Sequence, residues 1–274
     1  RVTLAVGGTM KASAAMLESV MKPAVAAYAG MFGGVPKSNY LVTLHEGVTD
    51  GGAFDRSYSM LAGMPLTRAN LIDWGHIVAH ETLHLWNGTG MRPKAQMDWF
   101  KEGFTDYLTI VTLRRLNLID DALFTKKLEG HVRRTIGPKN LPLADAGKDK
   151  KANWAWIYGG GAMAAMALDA QIRDATREQR SLDTVMQKMF SLHRDQPFEL
   201  ADLVRATTAV AGSDTSSFFA RHITGMEPLP LKAAFARWGY ELIVNTQGEA
   251  FLVLLDEASP AQRQARAAWL SAQK

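Results

Sequence analysis

The stretch that organises this sequence is AHETLHLWNG, residues 79–88. It places His80 and His84 four positions apart, with Glu81 directly after the first histidine. On a helix, residues four apart lie on nearly the same face, so both imidazoles can reach one metal ion. Glu81 lies beside that face, close enough to contact a metal-bound water without ligating the metal. The spacing therefore predicts a zinc hydrolase centre in which Glu81 activates the water.

A catalytic zinc usually has three protein ligands, so the two histidines need a third. The next predicted helix, residues 97–116, contains the segment WFKEGFTDYL, and a returning helix can bring its Glu102 beside His80 and His84. Asp106 lies one turn after Glu102 and is expected to accept a hydrogen bond from the far nitrogen of a ligating histidine. The alternative for Asp106 is an ordinary solvated helix position.

The other histidines are not expected to bind the metal. His76 lies one turn before His80, but a further protein ligand would close the open position that catalysis needs, so His76 is expected to be structural or to support a ligand. The remaining four histidines show no ligand spacing and are expected to be ordinary polar residues: His45, His131, His193 and His222.

Composition narrows the class of protein. Of 274 residues, 47% are hydrophobic, which is enough for a sizeable core. The net charge of +4 comes from 31 basic and 27 acidic residues without a basic run, which argues against a nucleic-acid partner. There is no cysteine, so any metal site must use His, Asp or Glu. The uncharged run 152–168 is too short, and too interrupted by three consecutive glycines, to span a bilayer.

The order of elements predicts an α+β fold. Residues 2–6 and 40–45 read as strands, and residues 50–65 as a loop with one short strand. Helical periodicity dominates from residue 69 onward, beginning with a helix over 69–86, and a hairpin is predicted near residues 240–255. We therefore expect a single unit over residues 1–274, with a β-containing part at 1–66 and a mainly helical part at 67–274. The chain begins with Arg1 rather than Met, which is compatible with a processed product, and the residues leave open whether it is a fragment of a longer protein.

The stretch HETLHLWNG, followed by MRP and WFKEGFTDYL, resembles the glycyl aminopeptidase family of gluzincin zinc metallopeptidases. The segments YGGGAMAAMALDAQIR and ITGMEPLPLKAAFARWGYEL are similar to later parts of the same family, so the resemblance covers about residues 40–242. It implies a thermolysin-like catalytic domain in which His80, His84 and Glu102 bind Zn²⁺ and Glu81 is the general base. It also implies that Tyr158 donates a hydrogen bond to the developing oxyanion, and it suggests a bacterial envelope or secreted setting.

The segment expected to line the substrate groove departs from the family pattern. The family usually has Gly-Gly-x-Glu-His there, whereas this chain has GGAFDRS, beginning with Gly51 and Gly52. The acidic position that holds a substrate amino terminus is Phe54, so either Asp55 takes its place or the amine is not recognised. A lysine that the family carries after the tyrosine is Gly160 here. These changes concern substrate handling and leave the zinc residues intact.

The sequence therefore favours zinc-dependent hydrolysis of peptide bonds, most simply by an aminopeptidase acting on a peptide substrate. The peptide is expected to add to the edge of the strand at 40–45. An endopeptidase is the alternative suggested by Phe54, and a non-catalytic, zinc-containing peptide-binding or scaffold protein is a third possibility. Side-chain preference and oligomeric state are left open by the residues alone.

Overall fold

The front of the chain folds into a four-stranded mixed sheet. The structure, a computed structural model, describes residues 1–36, 39–47, 50–54, 56–62 and 71–271. The sheet order is β1-β2-β4-β3, with β2 parallel to both neighbours and β3 antiparallel to β4. The strands are β1 (Val2–Val6), β2 (Tyr40–Glu46), β3 (Asp50–Phe54) and β4 (Ser57–Ala62). The two strands predicted at 2–6 and 40–45 are thereby confirmed.

The prediction of a loop with one short strand at residues 50–65 is wrong. Residues 50–54 and 57–62 form the antiparallel hairpin β3–β4, in which Gly51 lies opposite Met60 and Gly52 opposite Ser59. The two glycines suggested a loop because they pack no side chain and weaken an isolated strand. They are tolerated here because, among the described residues, β3 lies at the margin of the sheet with β4 as its one neighbour.

The strand order also corrects the expected place of peptide addition. β2 pairs with β1 from Tyr40 to Leu44 and with β4 from Leu41 to Glu46, so both of its edges are occupied. An added peptide strand needs free backbone groups at a sheet margin. The strand at 40–45 is therefore not a docking edge, and the glycine-containing strand β3 lies at the margin instead.

The rest of the described chain is mainly helical, as predicted, and a second hairpin joins β5 (Tyr240–Val244) to β6 (Ala250–Leu254). Together with the mixed sheet, this confirms the α+β class. The predicted boundary between residues 66 and 67 lies outside the described residues, and the division into two parts stays a prediction. The helices are α1 (Ala14–Met31), α2 (Leu71–Leu83), α3 (Thr105–Arg115), α4 (Asp121–Thr135), α5 (Gly161–Ala175), α6 (Leu182–His193), α7 (Leu200–Ala211), α8 (Ser216–His222), α9 (Leu231–Arg237) and α10 (Pro260–Leu270).

Helix α2 is held from both sides by buried aromatic contacts. Just after its end, Trp86 stacks on Phe32 with ring centroids 5.9 Å apart and donates a hydrogen bond to the Gly34 carbonyl at 2.7 Å. From the sheet, the Tyr58 hydroxyl donates to the Val78 carbonyl at 3.3 Å. The sheet and the segment after α1 thus fix the helix that carries His80 and ends just before His84. Within the described part of the chain, none of the helices combines the length and apolar character needed to cross a bilayer.

Two short π-helical turns lie at the centre of the fold. One, Trp99–Phe104, leads into α3, and the other, Trp156–Gly160, leads into α5. The sequence predicted an ordinary helix over 97–116, and the structure shows that its first turn is wider. A Cβ added to Gly103 would lie 2.3 Å from the Gly161 Cα, and one added to Gly161 would lie 2.2 Å from the Trp99 carbonyl oxygen. The start of α5 therefore packs backbone to backbone against the first of these turns.

Candidate metal centre

Three candidate ligand atoms converge where the end of α2 meets the π-helical turn Trp99–Phe104. The Nε2 atoms of His80 and His84 lie 3.5 and 3.3 Å from Glu102 Oε2. All three side chains are buried. Ligands about 2.0–2.2 Å from a tetrahedral zinc are about 3.3–3.6 Å from one another, which matches these separations. Two imidazole nitrogens and one carboxylate oxygen are also a donor set that zinc hydrolases use, so the residues present fit this metal.

Backbone and carboxylate acceptors orient the two imidazoles. His80 Nδ1 lies 3.0 Å from Asp106 Oδ1, and His84 Nδ1 lies 2.9 Å from the Asn87 carbonyl oxygen. Because both acceptors lack a proton, Nδ1 is the donor in each ring, and the Nε2 lone pairs are the atoms available to a metal. The Asn87 side chain in turn donates to Thr105 Oγ1 at 3.1 Å, which joins the end of α2 to the start of α3.

The Asp106 carboxylate contacts three histidine side chains. Besides His80, its Oδ1 lies 2.8 Å from His76 Nε2 and its Oδ2 lies 3.2 Å from His131 Nε2. His76 thus contacts Asp106, the carboxylate that orients His80. His131 was expected to be an ordinary polar residue, and the structure corrects this expectation. His131 comes from α4, so only tertiary packing brings it here, and its own sequence spacing carries no signal.

The charges in this cluster create a site that attracts cations. Burial alone would raise the pKa of Asp106, but the charges of His131 and His76, with the hydrogen bonds from His76 and His80, hold it well below its usual range. Burial likewise opposes ionisation of Glu102, and the contacts from His80 and His84 still keep its pKa far below the ordinary value. Burial lowers the pKa of His80, yet its bonds to Asp106 and Glu102 raise it to about 10. Because a ligating imidazole nitrogen must be unprotonated, a metal would compete with protons for His80.

Glu81 lies at the same site, directly after His80 on α2. Its carboxylate, with ligand atoms of His80 and His84, forms a group whose members lie within 4.8 Å of one another. Glu81 is less buried than either histidine. Its negative charge adds to the effect of burial in raising the pKa of Tyr40 and contributes to that of Tyr58, so it faces the hydroxyl side chains of the sheet. The position suits a proton acceptor that solvent and substrate can reach.

Tyr158 reaches the site from the second π-helical turn. Its hydroxyl donates to Glu102 Oε2 at 2.9 Å, and its ring lies 6.1 Å from the His80 ring. Burial, followed by the Glu102 carboxylate, raises the pKa of Tyr158, so the hydroxyl keeps its proton and stays a donor. Gly160 follows in the same turn, and a Cβ there would lie 2.3 Å from the Trp156 ring, which leaves no room for the family's lysine without a shift.

Two lysines contact the other oxygen of Glu102. Lys150 Nζ lies 2.7 Å from Glu102 Oε1, and Lys101 Nζ lies 3.7 Å from the same atom. Lys150 also lies 3.8 Å from Asp98 Oδ1. Neither lysine was predicted at this site, since 48 positions separate Lys150 from Glu102 and no motif singles out Lys101, which directly precedes Glu102.

Three of the four residues expected to line the substrate groove lie within the described part of the chain. Gly51 and Gly52 lie within β3, and Phe54 ends that strand with 62% of its surface exposed. Asp55, the alternative acidic residue, lies outside the described residues. The structure therefore brings together the predicted metal residues with Glu81, Asp106 and Tyr158, and places the glycines at the sheet margin.

Replacing Asp106 by asparagine is expected to weaken zinc binding without removing a ligand. Loss of the carboxylate removes the charge that orients His80 and leaves His76 and His131 with a poorer acceptor, and such outer contacts typically contribute about 10–100-fold to metal affinity. Competition with a fluorescent zinc chelator measures the dissociation constant. Asp183→Asn, which removes an equally buried carboxylate paired with Arg115 at 2.6 Å, is the control and should leave that constant unchanged. Equal affinities for wild type and Asp106→Asn would contradict the assigned role.

Part of the chain matches a known peptidase family. The sequence profile of the M61 glycyl aminopeptidase family matches residues 74–167, the segment that contains His80, His84, Glu102 and Tyr158. No curated protein sequence matches the chain.

Solved structures that share this fold include aminopeptidases and a zinc metallopeptidase. An aminopeptidase N family protein from Idiomarina loihiensis is 17% identical, with a TM-score of 0.78 over 89% of this chain and 48% of its own. An M1 zinc metallopeptidase from Deinococcus radiodurans is 19% identical, with a TM-score of 0.58 over 78% of this chain and 46% of its own. Aminopeptidase A from Legionella pneumophila, solved with aspartic acid, is 17% identical, with a TM-score of 0.57 over 82% of this chain and 26% of its own.

The chain spans slightly less than half the length of the first two of these proteins, covering 48% and 46% of them. At such low identity the likeness shows the fold, and that fold is the thermolysin-like one expected from the sequence. The resemblance of this chain to the gluzincin metallopeptidases is therefore confirmed, with the M61 glycyl aminopeptidase family matched over residues 74–167.

Proposed function

We propose that this chain is the catalytic part of a zinc-dependent peptidase, most simply an aminopeptidase. The observation that carries the proposal is the convergence of His80 Nε2, His84 Nε2 and Glu102 Oε2 at 3.3–3.5 Å, with the Glu81 carboxylate beside them. A purely structural zinc site is closed by four protein ligands and has no need of an additional free carboxylate. The solved zinc metallopeptidase that shares the fold supports the proposal of a catalytic zinc site.

Each residue of the site has a defined task in hydrolysis. A zinc ion held by His80, His84 and Glu102 would polarise the scissile carbonyl and lower the pKa of its bound water, so that the water gives up a proton readily. Glu81 accepts the proton of the attacking water and delivers it to the leaving amine. The Tyr158 hydroxyl, held protonated, donates to the oxygen on which negative charge develops. Asp106 and the Asn87 carbonyl keep the two imidazoles in the tautomer that faces the metal.

The margin of the sheet is the proposed docking line for the substrate. β3 carries Gly51 and Gly52, whose lack of side chains allows a second backbone to approach closely. An extended peptide that hydrogen-bonds to this strand is held in a single direction, with its scissile bond presented to α2. The chemistry of the peptide backbone, common to all sequences, then provides most of the recognition.

The exposed side chain of Phe54 favours an endopeptidase as the second candidate. An aminopeptidase needs an acidic group to bind the free amine, and the position that would supply it is an apolar residue with 62% exposure. A groove without that carboxylate accepts a peptide that continues past the amino-terminal residue.

A panel of matched peptides tests the activity and separates the two candidates. Each peptide is assayed with a free and an acetylated amino terminus, with and without 1,10-phenanthroline, and after zinc is added back. We expect chelator-sensitive cleavage that zinc restores, because the Lewis acid is essential. Preference for free amines supports the aminopeptidase, and equal cleavage of both forms supports the endopeptidase. Stoichiometric zinc with no cleavage of any peptide would instead indicate a scaffold.

A further inference from the structure

The carboxylate of Glu102 has two oxygens with opposite surroundings. Oε2 faces His80 Nε2, His84 Nε2 and the Tyr158 hydroxyl, at 3.5, 3.3 and 2.9 Å. Oε1 faces away from them and accepts a hydrogen bond from Lys150 Nζ at 2.7 Å. The carboxylate is buried while the lysine side chain is 43% exposed. One oxygen is therefore directed to the metal-binding atoms and the other to a cation that enters from the surface.

Lys150 is held in place by a compact turn. It directly follows a 3₁₀-helical segment, Leu143–Asp149, and keeps helical backbone angles. The next residues are fixed by Asp149, whose side chain accepts from the Ala152 N–H at 3.0 Å, and by Asn153, whose side-chain amide donates to the Ala146 carbonyl at 3.1 Å. The backbone that carries Lys150 is thus braced on both sides of the residue, as a positioning group requires.

We propose that Lys150 is a positioning residue that holds Oε1 of Glu102 away from the metal, so that Glu102 binds zinc through Oε2 alone. A carboxylate can ligate with one oxygen or with both, and two oxygens would fill the position that a catalytic zinc keeps for water and substrate. A charge-assisted hydrogen bond holds Oε1 toward the ammonium group and places a positive charge beside that oxygen, and both effects oppose a second metal bond. Lys101, 3.7 Å from the same oxygen, is too distant for such a bond, so Lys150 carries this role.

This inference rests on the proposed function, since it concerns a metal bound at the same site. Its test uses Co²⁺ in place of zinc, because the visible absorption of cobalt reports coordination number without any turnover. The variants are Lys150→Met, which keeps the apolar stem, and Lys150→Arg, which keeps a charged donor. Lys148→Met is the matched control, because Lys148 is 76% exposed and pairs with Asp145 at 2.9 Å, apart from Glu102.

We expect every protein to bind one Co²⁺ per chain, and Lys150→Met to show absorption about twofold weaker than wild type, as a fifth ligand replaces tetrahedral geometry. Lys150→Arg is expected to restore most of the wild-type spectrum, and Lys148→Met to match it. A wild-type spectrum for Lys150→Met would overturn the inference and leave the proposed function intact. Failure of the wild-type protein itself to bind Co²⁺ or Zn²⁺ would overturn both.

Discussion

Replacing Glu81 by glutamine is expected to abolish most peptide hydrolysis while the metal stays bound. Glutamine keeps the size of the side chain but cannot accept a proton from the attacking water, and a positioned acid or base contributes about 10²–10⁴-fold to the rate. The ligand atoms of His80, His84 and Glu102 are unaffected by this change, so zinc content should stay at one ion per chain. Steady-state kinetics on the best peptide of the panel, with metal analysis of the same sample, measures both quantities.

The matched control for this variant is Glu18→Gln, which makes the same chemical change on the exposed face of α1. It should be as active as the wild type. Full activity in Glu81→Gln would refute the mechanism. Loss of zinc together with loss of activity would have a different meaning: Glu81 would then be a ligand, and the site would be built from His80, Glu81 and His84, whose ligand atoms also lie within 4.8 Å of one another.

Replacing Gly103 by alanine is expected to destabilise the protein and to weaken metal binding at the same time. The added Cβ would lie 2.3 Å from the Gly161 Cα, and because the neighbour is backbone, no side chain can turn aside. Overpacking of a core costs about 1–3 kcal/mol, and a contact of this kind should reach about 3 kcal/mol or a fall in Tm of about 6–12 °C. The turn that carries Glu102 must move, so zinc affinity falls with stability.

Gly130→Ala is the control, because Gly130 lies within α4 and a Cβ there would meet only the end of the Arg133 side chain, at 3.8 Å. Alanine is a better helix former than glycine by about 1 kcal/mol, so this variant should be slightly more stable than the wild type. Thermal unfolding followed by circular dichroism, with chelator competition on the folded protein, tests both effects. An unchanged Tm and zinc affinity in Gly103→Ala would show that the close packing of Gly103 on Gly161 is not needed.

The sequence was most informative where function depends on local spacing. The positions of His80, Glu81 and His84 follow from the helical repeat. Glu102 and Asp106 were expected from their place on the returning helix, although Glu102 lies in the wide turn and Asp106 in α3. These groups lie together in the structure because short-range periodicity largely determines which side chains share a face.

Features that depend on contacts between distant parts of the chain could not be predicted from local spacing. Gly51 and Gly52 indicated a loop, because the strand that they form is stabilised by pairing with β4 and not by its own residues. His131 and Lys150 approach Asp106 and Glu102 only after α4 and the 3₁₀-helical segment have packed. The wide helical turn before α3 left no mark in the hydrophobic pattern, since it changes the rotation of the helix without changing which residues are apolar.

The two π-helical turns also set how these helices tolerate changes in length. Each wide turn accommodates one more residue than an α-helical turn between fixed ends. Deleting a single residue from Trp99–Phe104 or Trp156–Gly160 would allow the turn to regularise between the same ends, and residues within the turn would shift by up to about 100° around the helix axis. Such shortening would swing Glu102 or Tyr158 out of register with its partners, so homologous chains aligned across these two segments should match in residue count even where their side chains differ.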